Sequence, residues 1–333
     1  MITERIPLWE GREDVALYTM LRKCEALPMQ EDAAEALPAV IVCPGGAYLF
    51  CSVDLEGDTT ALRFADKGYQ TFILEYTVGS RCGDIDSRHP AQLLDLAKAI
   101  LIIRQHAEEW HVDTERISLA GFSAGANLCA NMAVHWHESF LADYFGVDSS
   151  VFKPLAVVLG YALIDYRYQE EYLAEAIPNN SIMMAGNKTI FGTPTPSPEQ
   201  CDELSPHNYV SEKTPPIFMV HAANDSLVPA VHSLKLAAAL AEKGIEYELH
   251  IFKNGEHGFA TGVPGGVGPY RSDRHMALSV WMDLCAKWLM AYGRVDSCFC
   301  ESCIYSLLNE LFLSLLSCSL ELSVDYALRY RLS

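Results

Sequence analysis

Short apolar runs alternate with longer amphipathic segments along most of the chain, and this alternation constrains the fold more than any other feature. Six runs of four to six residues, most of them rich in β-branched and aromatic side chains, predict strands. They cover residues 39–43, 70–75, 117–120, 155–159, 216–221 and 247–252. Strands separated by helical segments are typical of a mostly parallel sheet with helices on both faces, so the sequence predicts an α/β fold with a doubly wound sheet.

Three of the intervening segments carry clear helical signals. Residues 90–110 begin with a proline, which suits a first helical turn, and repeat apolar residues at helical spacing. Residues 233–243 also repeat apolar residues at helical spacing, and they end before Gly244, a residue suited to the left-handed position after a helix. Residues 276–289 form a third amphipathic pattern, and we expect all three helices to pack on the sheet.

One long segment interrupts the alternation. Residues 165–214 contain five prolines and two glycines between two good strands, so they are too long and too punctuated for a single crossover helix. The pattern predicts an insertion near the ligand-binding end of the sheet, where it would shape a pocket.

The sequence changes character after Arg294, and we therefore divide it into an α/β domain over residues 1–294 and a tail over residues 295–333. The tail is rich in Leu, Ser and Cys, and residues 304–320 have the leucine spacing of an amphipathic helix. One interpretation is a docking or dimerisation segment, which would make the protein a homodimer. Apolar helical spacing more often reflects packing, which favours an accessory helix on the same domain or a nonnative end.

Eleven cysteines are present, an odd number, and most lie far apart, unlike those of a small disulfide-rich scaffold. We expect most of them to be reduced. The tail holds a denser group of cysteines, whose thiolates are of the kind that bind zinc: Cys298, Cys300, Cys303 and Cys318. Because this group has no clean second pair and no nearby histidine, an incidental cysteine-rich tail is favoured over a metal site.

The charge balance excludes several partners. With 43 acidic and 24 basic residues, the net charge is −19, which repels nucleic acids and anionic membrane surfaces. The first residues lack a basic segment followed by an apolar run, and no stretch of 18 uncharged apolar residues occurs. A cytoplasmic protein without a membrane span or a nucleic-acid partner is expected.

The most informative motif is Gly121-Phe122-Ser123-Ala124-Gly125, which directly follows a predicted strand and precedes a helical segment. In a G-x-S-x-G turn of this kind, the serine hydroxyl projects above the sheet, and the flanking glycines allow a close backbone approach. Ser123 is therefore the candidate nucleophile.

A serine needs a base, and the base needs a group that orients it. Asp225 and His257 follow the last two predicted strands, in loops at the end of the sheet where ligand-facing groups lie. The order Ser123, Asp225, His257 is the one used in the α/β-hydrolase arrangement. Asp165, which follows an earlier strand, is the main competitor for the acid, while His221 falls within a strand and is expected to be a core residue.

A third requirement is a set of donors for the oxyanion of a tetrahedral intermediate. The loop that follows the first predicted strand contains Gly45 and Gly46 before Ala47. Its backbone N–H groups at Gly46 and Ala47 would join that of Ala124, the residue after the nucleophile, to form an oxyanion hole.

These residues resemble the α/β-hydrolase superfamily, and more narrowly its acetyl esterase and lipase branch, with hormone-sensitive lipase and the microbial carbohydrate esterases. The resemblance covers about residues 38–292, through CPGGAY, LEYTVG, ISLAGFSAG, LSPHNYVSEKTPPIFMVHAANDSLVP and ELHIFKNGEHGF. The chain departs from the branch at residues 44–47, which read PGGA where many of these lipases have HGGG. Since only backbone donors are needed there, this departure leaves the chemistry intact.

The resemblance implies a serine carboxylesterase that needs no metal or organic cofactor. It further implies short acyl groups, above all acetyl, on a sugar or xylan fragment as the alcohol part. Two alternatives stay open. A peptidase or amidase of the prolyl-oligopeptidase type usually adds a propeller domain, for which 333 residues leave no room. A noncatalytic binding protein would use the same fold with an idle serine.

Overall fold

The computed structural model describes residues 3–22, 36–80, 86–262 and 278–293. The chain divides into two units, Met1–Tyr292 and Gly293–Ser333, and apart from Gly293 the described residues belong to the first. The predicted tail helix and the four tail cysteines lie outside the described residues. The boundary at residue 294 and the homodimer therefore stay predictions.

The described residues form an eight-stranded sheet in the order β1-β2-β4-β3-β5-β6-β7-β8. The six strands from β3 onward are parallel, and β2 pairs antiparallel with both β1 and β4. The strands are β1 (Arg5–Pro7), β2 (Ala16–Met20), β3 (Leu37–Cys43), β4 (Gln70–Glu75), β5 (Val112–Phe122), β6 (Val157–Gly160), β7 (Ile217–Ala222) and β8 (Tyr247–Phe252).

Helices connect the parallel strands and continue into the inserted segment. In the described ranges they are α1 (Thr59–Asp66), α2 (Ala91–Gln105), α3 (Ala124–His135), α4 (Ser139–Phe145), α5 (Tyr166–Ala176), α6 (Ser181–Phe191), α7 (Pro198–Glu203), α8 (Val231–Glu242) and α9 (Val280–Gly293). A π-helical turn (Val53–Asp58) precedes α1, and short 3₁₀ turns occur at Ser149–Phe152 and Pro206–Tyr209. None of the helices in these ranges combines the length and apolarity that a membrane span requires.

Helices cover the sheet on both faces. Because successive side chains of a strand point to opposite sides, each central strand contributes to two separate cores. On β3, Ile41 packs in one core with α2, α3 and α8, whereas Val40 and Val42 pack in a second core with α1 and α9. In this second core Trp281 of α9 is fully buried. The two cores explain why β3 has apolar side chains on both of its faces.

The structure confirms the α/β fold and the six predicted strands, with ends shifted by a few residues, and corrects two details. The helix predicted over residues 90–110 ends at Gln105. The pair β1 and β2 was not predicted, because these strands lie at the antiparallel edge, where short and partly polar segments suffice. The inserted segment, residues 165–214, contains α5, α6 and α7.

Candidate active site

Ser123 lies at the turn between β5 and α3, with φ of 51° and ψ of −116°. The flanking glycines are required by close backbone contacts. A Cβ atom at Gly121 would lie 2.3 Å from the carbonyl oxygen of Gly125, and one at Gly125 would lie 2.1 Å from that of Cys43. The strand can therefore turn sharply into the helix only with glycine at both positions, which leaves the serine at the apex of the turn.

The structure brings Ser123, His257 and Asp225 together from three separate loops. The Nε2 atom of His257 lies 2.9 Å from the Oγ atom of Ser123, and its Nδ1 atom lies 2.8 Å from Oδ2 of Asp225. Because a carboxylate only accepts hydrogen bonds, Nδ1 carries the imidazole proton, and Nε2 is left to accept one from the serine hydroxyl. This is the arrangement that a general base requires.

Asp225 is held in an ionised, fixed position. Its Oδ1 atom accepts hydrogen bonds from the backbone N–H groups of Leu227 and Val228, at 3.0 and 2.9 Å. Burial alone would raise the pKa of Asp225, but the contacts with His221 and His257 and the N–H of Val228 outweigh it and hold the pKa well below its usual range. The carboxylate therefore stays charged at neutral pH.

Asp165, the competitor for the acid, and the strand residue His221 each have other hydrogen-bond or ion-pair partners. Asp165 caps the N-terminus of α5 and pairs with the Lys235 ammonium. His221 is fully buried, with its Nε2 atom 2.8 Å from the carbonyl oxygen of Val228 and its Nδ1 atom 2.8 Å from the hydroxyl of Ser233. It is the core residue that its place in a strand predicted, and it also supports Asp225, at 3.4 Å from Oδ2.

The loop after β3 has an unusual backbone. Gly46 has φ of 136°, and Ala47 and Tyr48 have φ of 52° and 59°, values that L-residues rarely adopt. A Cβ atom at Gly46 would lie 1.9 Å from the carbonyl oxygen of Phe50, so only glycine fits. Together with Ala124, Gly46 and Ala47 line the cavity beside Ser123, where backbone N–H groups can face a developing oxyanion.

Sequence reasoning missed a buried carboxylate beneath this loop. Glu56, which is 4% exposed, accepts a hydrogen bond from the backbone N–H of Gly45 at 2.6 Å and another from the hydroxyl of Tyr161 at 2.7 Å. The hydroxyl of Tyr76 also donates to the carbonyl oxygen of Pro44, at 2.6 Å. The sequence offers one indirect sign of such a residue. Residues 44–47 read PGGA and lack the histidine of the HGGG motif, so the loop needs support from another side chain.

A cavity of about 240 Å³ opens over Ser123. The inserted segment supplies part of its wall, because Met183, Gly186 and Asn187 of α6 and Tyr166 of α5 line it. Most of the lining side chains are apolar or aromatic, and Phe50 and Ile182 at the rim are each 53% exposed. Such a cavity suits a small, largely apolar group next to the serine.

Comparison with known proteins places the chain in a family. The sequence profile of the BD-FAE family matches residues 26–240, and that of the dienelactone hydrolase family matches residues 198–288. Endo-1,4-beta-xylanase B of Butyrivibrio fibrisolvens is 30% identical over 240 residues, which are 68% of this chain and 34% of that protein. The chain spans between about a third and a half of the length of the first curated relatives it matches.

Solved structures match over nearly their whole length. The carboxylesterase Cest-2923 of Lactobacillus plantarum is 26% identical with a TM-score of 0.71, and the match covers 88% of this chain and 98% of that one. The acetyl ester-xyloside bifunctional hydrolase of Caldicellulosiruptor lactoaceticus is 29% identical with a TM-score of 0.66, covering 87% and 96%. The chain is thus similar to known esterases in sequence and structure, and it belongs to the BD-FAE family, with the α/β-hydrolase fold.

Proposed function

We propose that the protein is a serine carboxylic ester hydrolase. The observation that carries this proposal is the continuous line of hydrogen-bonding atoms from Ser123 through His257 to Asp225, at the floor of a cavity. The relatives whose names describe carboxylesterases and acetyl ester hydrolases support the same reaction class.

Each residue has a defined role in this reaction. Ser123 Oγ attacks the ester carbonyl while His257 Nε2 takes its proton, and Asp225 stabilises the imidazolium that results. The N–H groups of Gly46, Ala47 and Ala124 donate to the oxyanion. His257 then protonates the leaving alcohol, and a water molecule activated by the same histidine releases the acid. This sequence of steps requires no metal or organic cofactor.

The size of the cavity and the names of the relatives support a proposal for the substrate. We propose a short acyl group, acetyl above all, because the space beside Ser123 is small and is bounded by Met183 and Tyr166. A sugar or xylan fragment is the proposed alcohol part, by analogy with the acetyl ester-xyloside hydrolase. A cytoplasmic location and a soluble small-molecule or oligosaccharide ester as partner complete the proposal.

The test is hydrolysis of p-nitrophenyl acetate by the full chain and by Ser123→Ala. We expect the wild-type protein to turn over the ester and the variant to fall by about 10⁴-fold or more in kcat, because the nucleophile is lost. Ser150→Ala, in the 3₁₀ turn Ser149–Phe152, is the matched control and should keep full activity.

Two further assays separate the alternatives. Aminoacyl amides hydrolysed faster than esters would point to a peptidase, and failure of a fluorophosphonate to modify Ser123 would point to a noncatalytic protein. A Ser123→Ala variant with wild-type turnover would rule out the proposed mechanism. Acylated sugars compared with p-nitrophenyl esters of rising chain length would define the acyl and alcohol parts.

A further inference from the structure

Glu56 connects two loops that the proposed reaction needs at a fixed separation. One carboxylate oxygen, Oε2, accepts from the N–H of Gly45 in the oxyanion loop, at 2.6 Å. The other, Oε1, accepts from the hydroxyl of Tyr161 at 2.7 Å, and that hydroxyl in turn accepts from the N–H of Ala260 at 3.1 Å. Ala260 lies three residues after His257, so the chain of hydrogen bonds runs from one loop to the other.

The proton positions in this chain follow from the donors. Because the Tyr161 hydroxyl accepts from Ala260, its own proton is free to point at Glu56, and both carboxylate oxygens then act as acceptors. An ionised Glu56 meets this demand without conflict. Burial raises the pKa of Glu56 above its usual value and outweighs the bonds from Tyr161 and Gly45, which act in the opposite direction. Burial also raises the pKa of Tyr161 well above its usual value, so the phenol keeps its proton.

Tyr161 also contacts the histidine. Its ring centroid lies 5.0 Å from that of His257 in an edge-to-face arrangement, and 4.7 Å from that of Phe259. Its backbone has φ of 37°, a conformation that L-residues rarely adopt, which fixes the direction in which the ring leaves the end of β6. The side chain that donates to Glu56 therefore also packs against the imidazole ring.

Close packing fixes the other end of the chain of contacts. A Cβ atom at Gly45 would lie 2.9 Å from each of three atoms: Glu56 Oε2, the carbonyl oxygen of Phe122 and the Cβ of Ser123. The oxyanion loop is thus held between the carboxylate and the nucleophile turn. A change in Glu56 would therefore act on the loop at the point where it lies against the Ser123 turn.

We propose that Glu56 and Tyr161 are positioning residues that hold the oxyanion loop and the histidine loop in register for the chemical step. This inference rests on the proposed ester hydrolysis for its kinetic consequence. In this proposal, the Glu56 carboxylate and the Tyr161 phenol support the oxyanion loop. They take the place of the histidine that the HGGG motif would have at position 44. Loss of either side chain should weaken the transition state more than substrate binding, since neither group is a donor to the ester itself.

The test compares Glu56→Gln and Tyr161→Phe with the wild-type chain. In Glu56→Gln, the amide nitrogen replaces one carboxylate oxygen and cannot accept a hydrogen bond. The bond from the Gly45 N–H or the bond from the Tyr161 hydroxyl is therefore lost, with little change in side-chain volume. For p-nitrophenyl acetate we expect kcat to fall by about tenfold or more in Glu56→Gln, with KM within about twofold, and a smaller fall in Tyr161→Phe.

Asp95→Asn is the matched control, because Asp95 is also a buried carboxylate, bonded to Thr77 and Trp9 away from the cavity. It should lower the unfolding midpoint and leave kcat unchanged. An equal loss of kcat in Asp95→Asn and Glu56→Gln would overturn the proposal, since the effect would then follow from destabilisation alone. If Glu56→Gln fails to fold, Tyr161→Phe, which removes a single oxygen, decides the question.

A second measurement does not depend on ester turnover. A fluorophosphonate modifies Ser123 when the serine oxygen attacks phosphorus and fluoride leaves. The rate of this modification depends on the nucleophile, the base and the oxyanion loop together. We expect Glu56→Gln to lower this rate by about tenfold, in parallel with kcat. An unchanged labelling rate in Glu56→Gln would refute the proposed positioning role of Glu56. Wild-type labelling without ester hydrolysis would instead refute the proposed function, and the comparison of labelling rates would still decide the role of Glu56.

Discussion

Several residues around the candidate site have backbone conformations that L-amino acids rarely adopt. Ala47, Tyr48, Ser123, Tyr161 and Glu256 all have positive φ, between 37° and 59°. The first three line the cavity, Tyr161 contacts the His257 ring, and Glu256 directly precedes His257. Strain of this kind persists only where surrounding contacts enforce it, and here it sets the directions of the groups that would react.

Replacing Asp225 by asparagine tests the orienting role. Because an amide nitrogen would donate to Nδ1, the imidazole would take the tautomer with its proton on Nε2, which cannot accept from Ser123. We expect Asp225→Asn to lower kcat by about 10³- to 10⁴-fold, as in other serine hydrolases, with KM little changed. Steady-state kinetics on p-nitrophenyl acetate gives both values.

Asp165→Asn is the control for this variant, because Asp165 pairs with Lys235 and not with His257. It should keep activity close to that of the wild type. Strong loss of activity in Asp165→Asn and none in Asp225→Asn would reverse the assignment of the acid.

The candidate residues were predictable from sequence because each follows a recognisable strand. Ser123, Asp225 and His257 come after three apolar runs, and the carboxyl ends of parallel strands meet at one edge of a sheet. Glu56 gave no such signal. It lies in a π-helical turn between β3 and α1, and its partners Gly45 and Tyr161 are set by tertiary contacts that periodicity does not encode.

At the scale of whole elements, the inserted helix α6 approaches the oxyanion loop through a glycine. A Cβ atom at Gly186 would lie 2.5 Å from the carbonyl oxygen of Ala47, closer than side-chain carbons and backbone oxygens approach in proteins. Either the helix or the loop would have to move to accept a side chain at that position. The insertion is therefore packed directly against the loop that carries the proposed oxyanion donors.

Gly186→Ala is expected to lower kcat/KM for p-nitrophenyl acetate by about tenfold, because a shift of the loop misplaces its N–H groups. Met184→Ala, on the exposed side of the same helix, removes helix surface without touching the loop and should change kcat/KM by less than about twofold. Similar kinetics in Gly186→Ala and the wild type would show that the loop tolerates displacement of α6.

The insertion illustrates why some elements escape prediction. Prolines and glycines in residues 165–214 indicated that the segment is no plain crossover, but its three helices depend on caps and tertiary contacts. Asn180 and Ser197, for example, begin α6 and α7 by accepting bonds from backbone N–H groups. Helix α6 approaches the cavity closely because Gly186 has no side chain to contact the carbonyl oxygen of Ala47. This tertiary contact cannot be read from the local sequence.

At the scale of the whole molecule, a buried histidine of α8 links that helix to the start of the inserted segment. Nδ1 of His232, at the start of α8, accepts from the N–H groups of Ile164 and Asp165, at 3.2 and 3.1 Å, and Nε2 lies 2.7 Å from Oε1 of Gln169. Burial lowers the pKa of His232 from 6.5 to about 3, with the nearby His221 acting in the same direction. Between these two values the unfolded chain binds a proton that the folded chain does not.

The free energy of unfolding should therefore decrease as the pH falls below 6.5 toward 3, while the full contribution of His232 is present above 6.5. His232→Asn should be less stable than the wild type at pH 7.5, by about 2 kcal/mol, because buried N–H groups lose their acceptor. In this variant, the slope of the free energy of unfolding against pH should also be smaller, by an amount that corresponds to about one bound proton.

Urea unfolding at several pH values measures this slope. His106→Asn, at an exposed position beside Glu109, is the control and should keep the wild-type pH dependence. If His232→Asn retained the full slope, the acid sensitivity of the fold would arise from other groups.

The composition of the cavity wall has a consequence for the end of the catalytic cycle. Among the described residues that line it, none is a lysine or an arginine, while Glu56 contributes a carboxylate from below. Ester hydrolysis turns a neutral substrate into a carboxylic acid that ionises at neutral pH. The product would then be an anion that meets no lysine or arginine among the described lining residues. The wall that accepts the neutral ester would therefore favour departure of the acid, which leaves the site open to the next substrate.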